Sequence, residues 1–174
     1  MPGTAAAPVR QTTGMYPMAA QPSIAPPSQP DSLAALTAGE RLLVLGLRRW
    51  ITGWQRQEPC HWSMVWNDFA RTLGAAPARR ALAGLNGLVG ELATSVRRPY
   101  RIAPCCCALL CTDEVTVLCL VAACQKADSA CSARLAEWLV QPNGAVRLVM
   151  AASEIAAALD GAGYALPDRQ RSAG

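Results

Sequence analysis

Four cysteines within seven positions carry the strongest chemical signal in the chain: Cys105, Cys106, Cys107 and Cys111. Thiols at this density can bind a metal, exchange electrons or pack as small apolar groups. Side chains of adjacent residues point in different directions, so Cys105 and Cys107 can face one ion in an extended loop while Cys106 points away. Cys111 stands at the predicted start of a helix, where oriented amides lower the pKa of a thiol and favour the thiolate.

A tetrahedral metal site needs a further ligand from elsewhere in the chain, and the adjacent Cys60 and His61 are the candidates. Zinc is the expected ion, and an iron–sulfur cluster, which takes the same thiolates, is the alternative. The spacing differs from the two separated Cys-x2-Cys pairs of common structural zinc sites, because the second pair here is only Cys60 and His61. The predicted metal ligands are Cys60, His61, Cys105, Cys106, Cys107 and Cys111.

Three functions are compatible with this thiol segment. In the first, a small soluble helical protein binds a structural metal through the loop and presents a protein-interaction surface, without catalysis. In the second, a metal-free helical module binds partners and the thiols only pack. In the third, Cys111 is the reactive thiolate of a redox sensor, with His61, the single histidine of the chain, as its base. No phosphate-binding loop or catalytic triad is evident, so an enzyme is not predicted.

The remaining helical cysteines, Cys119, Cys124 and Cys131, are predicted to be packing residues, because they fall within or beside apolar helical segments. The net charge of +4 does not predict a nucleic-acid-binding surface. Fifteen of the sixteen basic residues are arginine, and they are spread among acidic residues instead of forming one basic face. The expected partner is therefore another protein or a second copy of the chain.

The expected compartment is the cytoplasm, because the N-terminus has no signal-peptide pattern and the cysteines then stay reduced. The longest apolar run, Val115 to Cys124, covers ten residues. A membrane-spanning helix needs about 20, so no membrane span is predicted.

Length and composition indicate one folded domain, because 52% of the 174 residues are hydrophobic and only 16% are charged. The periodic segments all fit a helical repeat, which predicts an all-α, single compact bundle of about six helices. A disordered Pro/Ala-rich N-terminal tail is predicted over residues 1–31, the helical domain over 32–166 and a flexible C-terminal tail over 167–174.

Local signals place the helix ends. Thr37 and Glu40 form a capping-box pattern before the first helix, whose Arg48 is expected to face solvent. Pro59 starts the second helix, and Thr112 is expected to cap the fourth. Gln141 to Gly144 are predicted to be a turn before a last helix that begins near residue 146.

Overall fold

The computed structural model describes residues 32–169, and within them the secondary structure is helical. The predicted all-α bundle of about six helices is confirmed. The predicted N-terminal tail, residues 1–31, lies outside the described residues, as do residues 170–174. After one 3-10 turn, Leu33–Ala35, the helices are α1 Ala38–Arg56, α2 Pro59–Leu73, α3 Ala75–Thr94, α4 Thr112–Gln125, α5 Ser129–Leu139 and α6 Pro142–Gly161.

The capping signals of the first two helices operate as predicted. The Thr37 hydroxyl accepts from the Glu40 N–H, and the Glu40 carboxylate accepts from the Thr37 N–H at 2.9 Å. These bonds satisfy amides that have no partner inside the helix. Pro59 occupies the first turn of α2, where its missing N–H costs nothing.

One predicted cap and one predicted helix start were wrong. The N-cap of α4 is Cys111, and Thr112 is already the first helical residue. Residues 142–144 belong to the first turn of α6, which Pro142 begins. Proline fits that position because its fixed φ suits a helix start and it has no N–H to leave unpaired. A Pro-Asn-Gly segment therefore initiates a helix here instead of forming a separate turn.

The most extensive helix contact joins α3 to α6. It depends on Gly84, where a methyl group would lie 2.6 Å from the Ala151 carbonyl oxygen. Glycine lowers the stability of a helix by roughly 1 kcal/mol relative to alanine. Here that loss is offset because Gly84 lets α6 pack closely against α3. Helix α4 is central, since its residues 113–123 are all buried.

One pair of tryptophans connects α1 to α2. The rings of Trp50 and Trp62 are in contact, with centroids 6.2 Å apart, and the Trp62 indole donates to the Trp50 carbonyl. Trp54 of α1 and Trp66 of α2 are exposed.

Residues 164–169 cross back over the bundle after α6. Leu166 is buried, and Gln125 donates to the Tyr164 carbonyl and accepts from the Leu166 N–H. Arg169 forms an ion pair with the buried Glu40 of α1. The division into a domain ending at 166 and a flexible tail after it stays a prediction, although residues 168 and 169 of that tail make ion pairs with the helices.

Candidate metal centre and the cysteine loop

The Cys loop, residues 104–111, is built around the side chain of Arg48. This arginine was expected to face solvent, and that prediction was wrong: its side chain is completely buried. Its Nε and Nη2 donate to the two carboxylate oxygens of Glu114 at 2.7 and 2.9 Å. The burial that disfavours the charge is outweighed by Glu114, and the pKa of Arg48 is raised.

The same guanidinium holds the loop backbone. Arg48 donates to the carbonyl oxygens of Pro104, Cys107 and Leu109, at 3.2, 2.6 and 2.7 Å. These carbonyls therefore point inward to a charged donor, which pairs them strongly in a dry environment. The inner side of the loop is therefore ordered by a protein side chain.

Glu114 fixes both ends of the Cys loop. Its Oε1 accepts from the Ala103 N–H at 3.2 Å, and its Oε2 accepts from the Cys111 N–H at 2.8 Å. As the third residue of α4, this carboxylate also lies at the positive end of the helix dipole. One acidic side chain thus joins the start of the loop, the end of the loop and Arg48.

A second acid fixes the segment before the loop. Asp113, buried at the start of α4, receives two hydrogen bonds from Arg98, at 2.8 and 2.5 Å, and one from the Arg101 N–H at 2.8 Å. Burial alone would raise the pKa of Asp113, but these donors lower it below the ordinary value. The chain approaching the Cys loop is therefore anchored on α4 as well.

The four thiols of the Cys loop differ in exposure. Cys106 is exposed, while Cys105, Cys107 and Cys111 are partly buried. The predicted activation of Cys111 was wrong: burial and the nearby Glu114 carboxylate raise the pKa of its thiol. Helix amides favour a thiolate only where no carboxylate competes for the same helix start.

The ligand triad, our name for Glu58, Cys60 and His61, lies at the start of α2. One candidate ligand atom from each residue lies within 4.8 Å of the others, and the triad is the one such group found in residues 32–169. The Glu58 carboxylate is hydrogen-bonded to Nε2 of His61 at 3.1 Å. An oxygen, a sulfur and a nitrogen donor at this spacing could hold a metal ion.

The imidazole of His61 also faces the Cys loop. It lines a cavity of about 400 Å³, the His61 cavity, which Cys105 and Cys106 also line. The Cys105 sulfur lies 3.9 Å from the Thr52 hydroxyl, which ties this wall to α1. The Nδ1 atom of His61 is buried and has no hydrogen-bond partner among the described residues.

Comparison with known protein families, with curated proteins and with solved structures finds no match for this chain. In the part of the chain that the structure describes, none of the helices has both the length and the apolar character needed to cross a membrane.

The six predicted ligands fall into three pairs in the structure. Cys60 and His61 come together, and they are joined by Glu58, which the sequence reasoning missed. The signal for Glu58 was its position three residues before His61, a spacing that brings side chains together across a first helical turn. The predicted ligand set as a whole stays a prediction: Cys105 and Cys106 share a cavity with His61, while Cys107 and Cys111 lie near Arg48.

The predicted packing cysteines have the expected surroundings. Cys119 and Cys131 are buried and Cys124 is partly buried. Burial raises the pKa of the Cys119 thiol to about 11 and also raises the pKa of the Cys124 and Cys131 thiols. These thiols are poor nucleophiles at neutral pH because the reactive thiolate is scarce.

Proposed function

We propose that this protein is a non-catalytic, metal-binding helical module. A zinc ion is held by Glu58, Cys60 and His61 and takes Cys105 or Cys106 as its fourth ligand. The observation that carries this proposal is the ligand triad, whose donor atoms lie within 4.8 Å of one another beside the cavity that the two thiols line.

The donor set favours zinc over an iron–sulfur cluster. Zinc accepts carboxylate oxygen, thiolate sulfur and imidazole nitrogen in one tetrahedral site. Iron–sulfur clusters are held mainly by four thiolates, and the triad offers one. Closing the fourth position with a loop thiol would link α2 to the Cys loop and fix the relative position of two surface segments, which is the structural role that a closed zinc site has.

The test is metal stoichiometry and affinity. Reduced protein is loaded with zinc, dialysed and assayed by inductively coupled plasma mass spectrometry, and affinity is measured by competition with a chromophoric chelator. We expect one zinc per chain, and at least a 10-fold weaker affinity for Cys60→Ser and for His61→Ala. Cys124→Ala, a partly buried thiol outside the triad, is the matched control and should bind zinc normally. Substoichiometric zinc, or full binding by His61→Ala, would overturn the proposal.

The fourth ligand has its own test. Cobalt-loaded protein reports coordination by its visible spectrum, in which each thiolate adds charge-transfer intensity. Either Cys105→Ser or Cys106→Ser should lower that intensity while the other leaves it unchanged. If neither substitution changes the spectrum, the metal does not bridge to the loop.

A second function, a metal-free interaction module, is favoured by a specific observation: the inner side of the Cys loop is satisfied by Arg48 and Glu114. In that case the ordered loop itself is the binding surface. Equal binding of a partner protein by zinc-loaded and chelator-treated protein would select this function over the metal-dependent one.

A further inference from the structure

A small apolar pocket adjoins the His61 cavity. It has a volume of about 100 Å³ and is lined chiefly by side chains from the end of α1, from α3 and from the segment before the Cys loop. The Trp54 ring, half exposed, forms part of its wall together with Leu92 and Tyr100. The pocket and the His61 cavity share two lining residues, Gln55 and Ile102.

The two cavities differ in polarity and charge. Apart from Gln55, apolar and aromatic residues line the small pocket, which we call the Trp54 pocket. The His61 cavity is lined by Arg56 and by no acidic residue, although the Glu58 carboxylate is hydrogen-bonded to His61 at 3.1 Å. Arg56 is exposed, and the structure gives it no ion pair with another described residue. A site with an apolar compartment next to a single cation is complementary to an apolar group that carries a negative charge.

We propose that these two cavities together bind a ligand in which a small apolar group adjoins a carboxylate. The apolar group lies against Trp54, and the carboxylate pairs with Arg56. The pocket volume of about 100 Å³ suits one branched aliphatic group, and the arginine fork pairs with both carboxylate oxygens. Tyr100 adds a buried hydroxyl that has no hydrogen-bond partner within residues 32–169.

This proposal does not depend on the metal. A bound zinc ion is smaller than a water molecule, which takes roughly 30 Å³, so most of the His61 cavity of about 400 Å³ stays open beside it. Two kinds of ligand fit this description: a free organic acid, or the carboxy-terminal residue of a partner protein when that residue has an aliphatic side chain. Both present an apolar group next to a carboxylate.

The test uses 4-methylpentanoate and its neutral amide, titrated by isothermal calorimetry into zinc-loaded and into chelator-treated protein. We expect the acid to bind at least 10-fold more tightly than the amide in both preparations. Arg56→Gln should remove that preference, and Trp54→Ala should weaken the binding of both compounds. The matched controls are Arg79→Gln, an exposed arginine on α3, and Trp138→Ala, a tryptophan with the same exposure as Trp54.

Equal binding of acid and amide, no binding of either, or full binding by Arg56→Gln would overturn the proposal. Circular dichroism melting curves establish that Trp54→Ala is folded. A parallel titration with N-acetyl-Gly-Leu separates the sources: tighter binding than 4-methylpentanoate supports a protein carboxy terminus, and weaker binding supports a free acid. Loss of zinc stoichiometry with retained acid binding would refute the proposed metal function alone.

Discussion

The two sides of the Cys loop are held in different ways. On the inner side, Arg48 and Glu114 are fully buried and pair with backbone groups at 2.6–3.2 Å. On the outer side, the Cys106 thiol is exposed, and Cys105 faces a cavity shared with His61. The comparison shows that Arg48 and Glu114 order the loop, whereas the thiols provide its chemistry. A substitution can therefore change one without changing the other.

The largest expected effect is on the inner side. Arg48→Met removes the donor for three carbonyls and leaves the Glu114 charge buried without its partner. Breaking a buried ion pair by deleting one member typically costs 3–5 kcal/mol. We expect a loss of about 3–5 kcal/mol in the free energy of unfolding, measured by urea denaturation.

Arg79→Met, on the exposed surface of α3, is the control for Arg48→Met and should leave the denaturation midpoint nearly unchanged. A loss below about 1 kcal/mol for Arg48→Met, the value for a surface ion pair, would mean that the inner side does not hold the loop.

Thiol reactivity separates exposed from buried sulfurs. With a pKa of about 11, roughly one Cys119 thiol in a hundred is ionised at pH 9, and burial restricts access further. We expect Cys119 to react with iodoacetamide roughly 100-fold more slowly than the exposed Cys106, as measured by peptide mass spectrometry. Cys111, whose thiol pKa is also raised, should be slower than Cys106. Modification of Cys111 ahead of Cys106 would restore the redox-sensor hypothesis.

Asp113, which anchors the segment before the Cys loop, makes the stability of the fold depend on pH in acid. Its folded-state pKa is lowered by Arg98 and the Arg101 amide although burial opposes this, whereas an unfolded aspartate titrates near 3.9. The ionised group therefore stabilises the fold above about pH 4, and this contribution is lost as pH falls through the folded-state pKa. We expect Asp113→Asn to cost about 1–3 kcal/mol at pH 7 and to show a flatter dependence of Tm on pH below about 4. Parallel acid profiles for the two proteins would contradict this.

The smallest effect is expected on the outer side. Replacing Cys105, Cys106 and Cys107 together by serine should change the unfolding free energy of the chelator-treated protein by less than about 1 kcal/mol, because the side chains are exposed or partly exposed. Thermal melts with and without zinc measure this. A large loss without metal would show that the thiols, and not only Arg48, order the loop.

The sequence predicted the helices because their signals are local: the box at Thr37 and Glu40, the proline at 59 and the apolar spacing of each segment. It did not predict the burial of Arg48. A charged side chain on a helix is expected to face water unless a partner offsets the cost of its desolvation. The partner of Arg48 is Glu114, which is 66 residues away in the sequence.

The candidate site was predictable only where its signals are local in the sequence. Cys60 and His61 stood out by residue type, and Glu58 was recoverable from its spacing to His61. The contribution of Cys105 and Cys106 to the His61 cavity was not predictable from the sequence. It requires the loop to fold back on the end of α1, and the long-range bonds of Arg48 and Glu114 determine that path.

The single carboxylate of Glu114 closes the Cys loop into a ring, since it holds the amides of Ala103 and Cys111 on either side of the three adjacent cysteines. A protease that cuts the peptide bond after the exposed Cys106 would therefore leave two new chain ends that both stay fastened to α4. The nicked protein should migrate as one particle in native conditions and separate into two fragments only on unfolding.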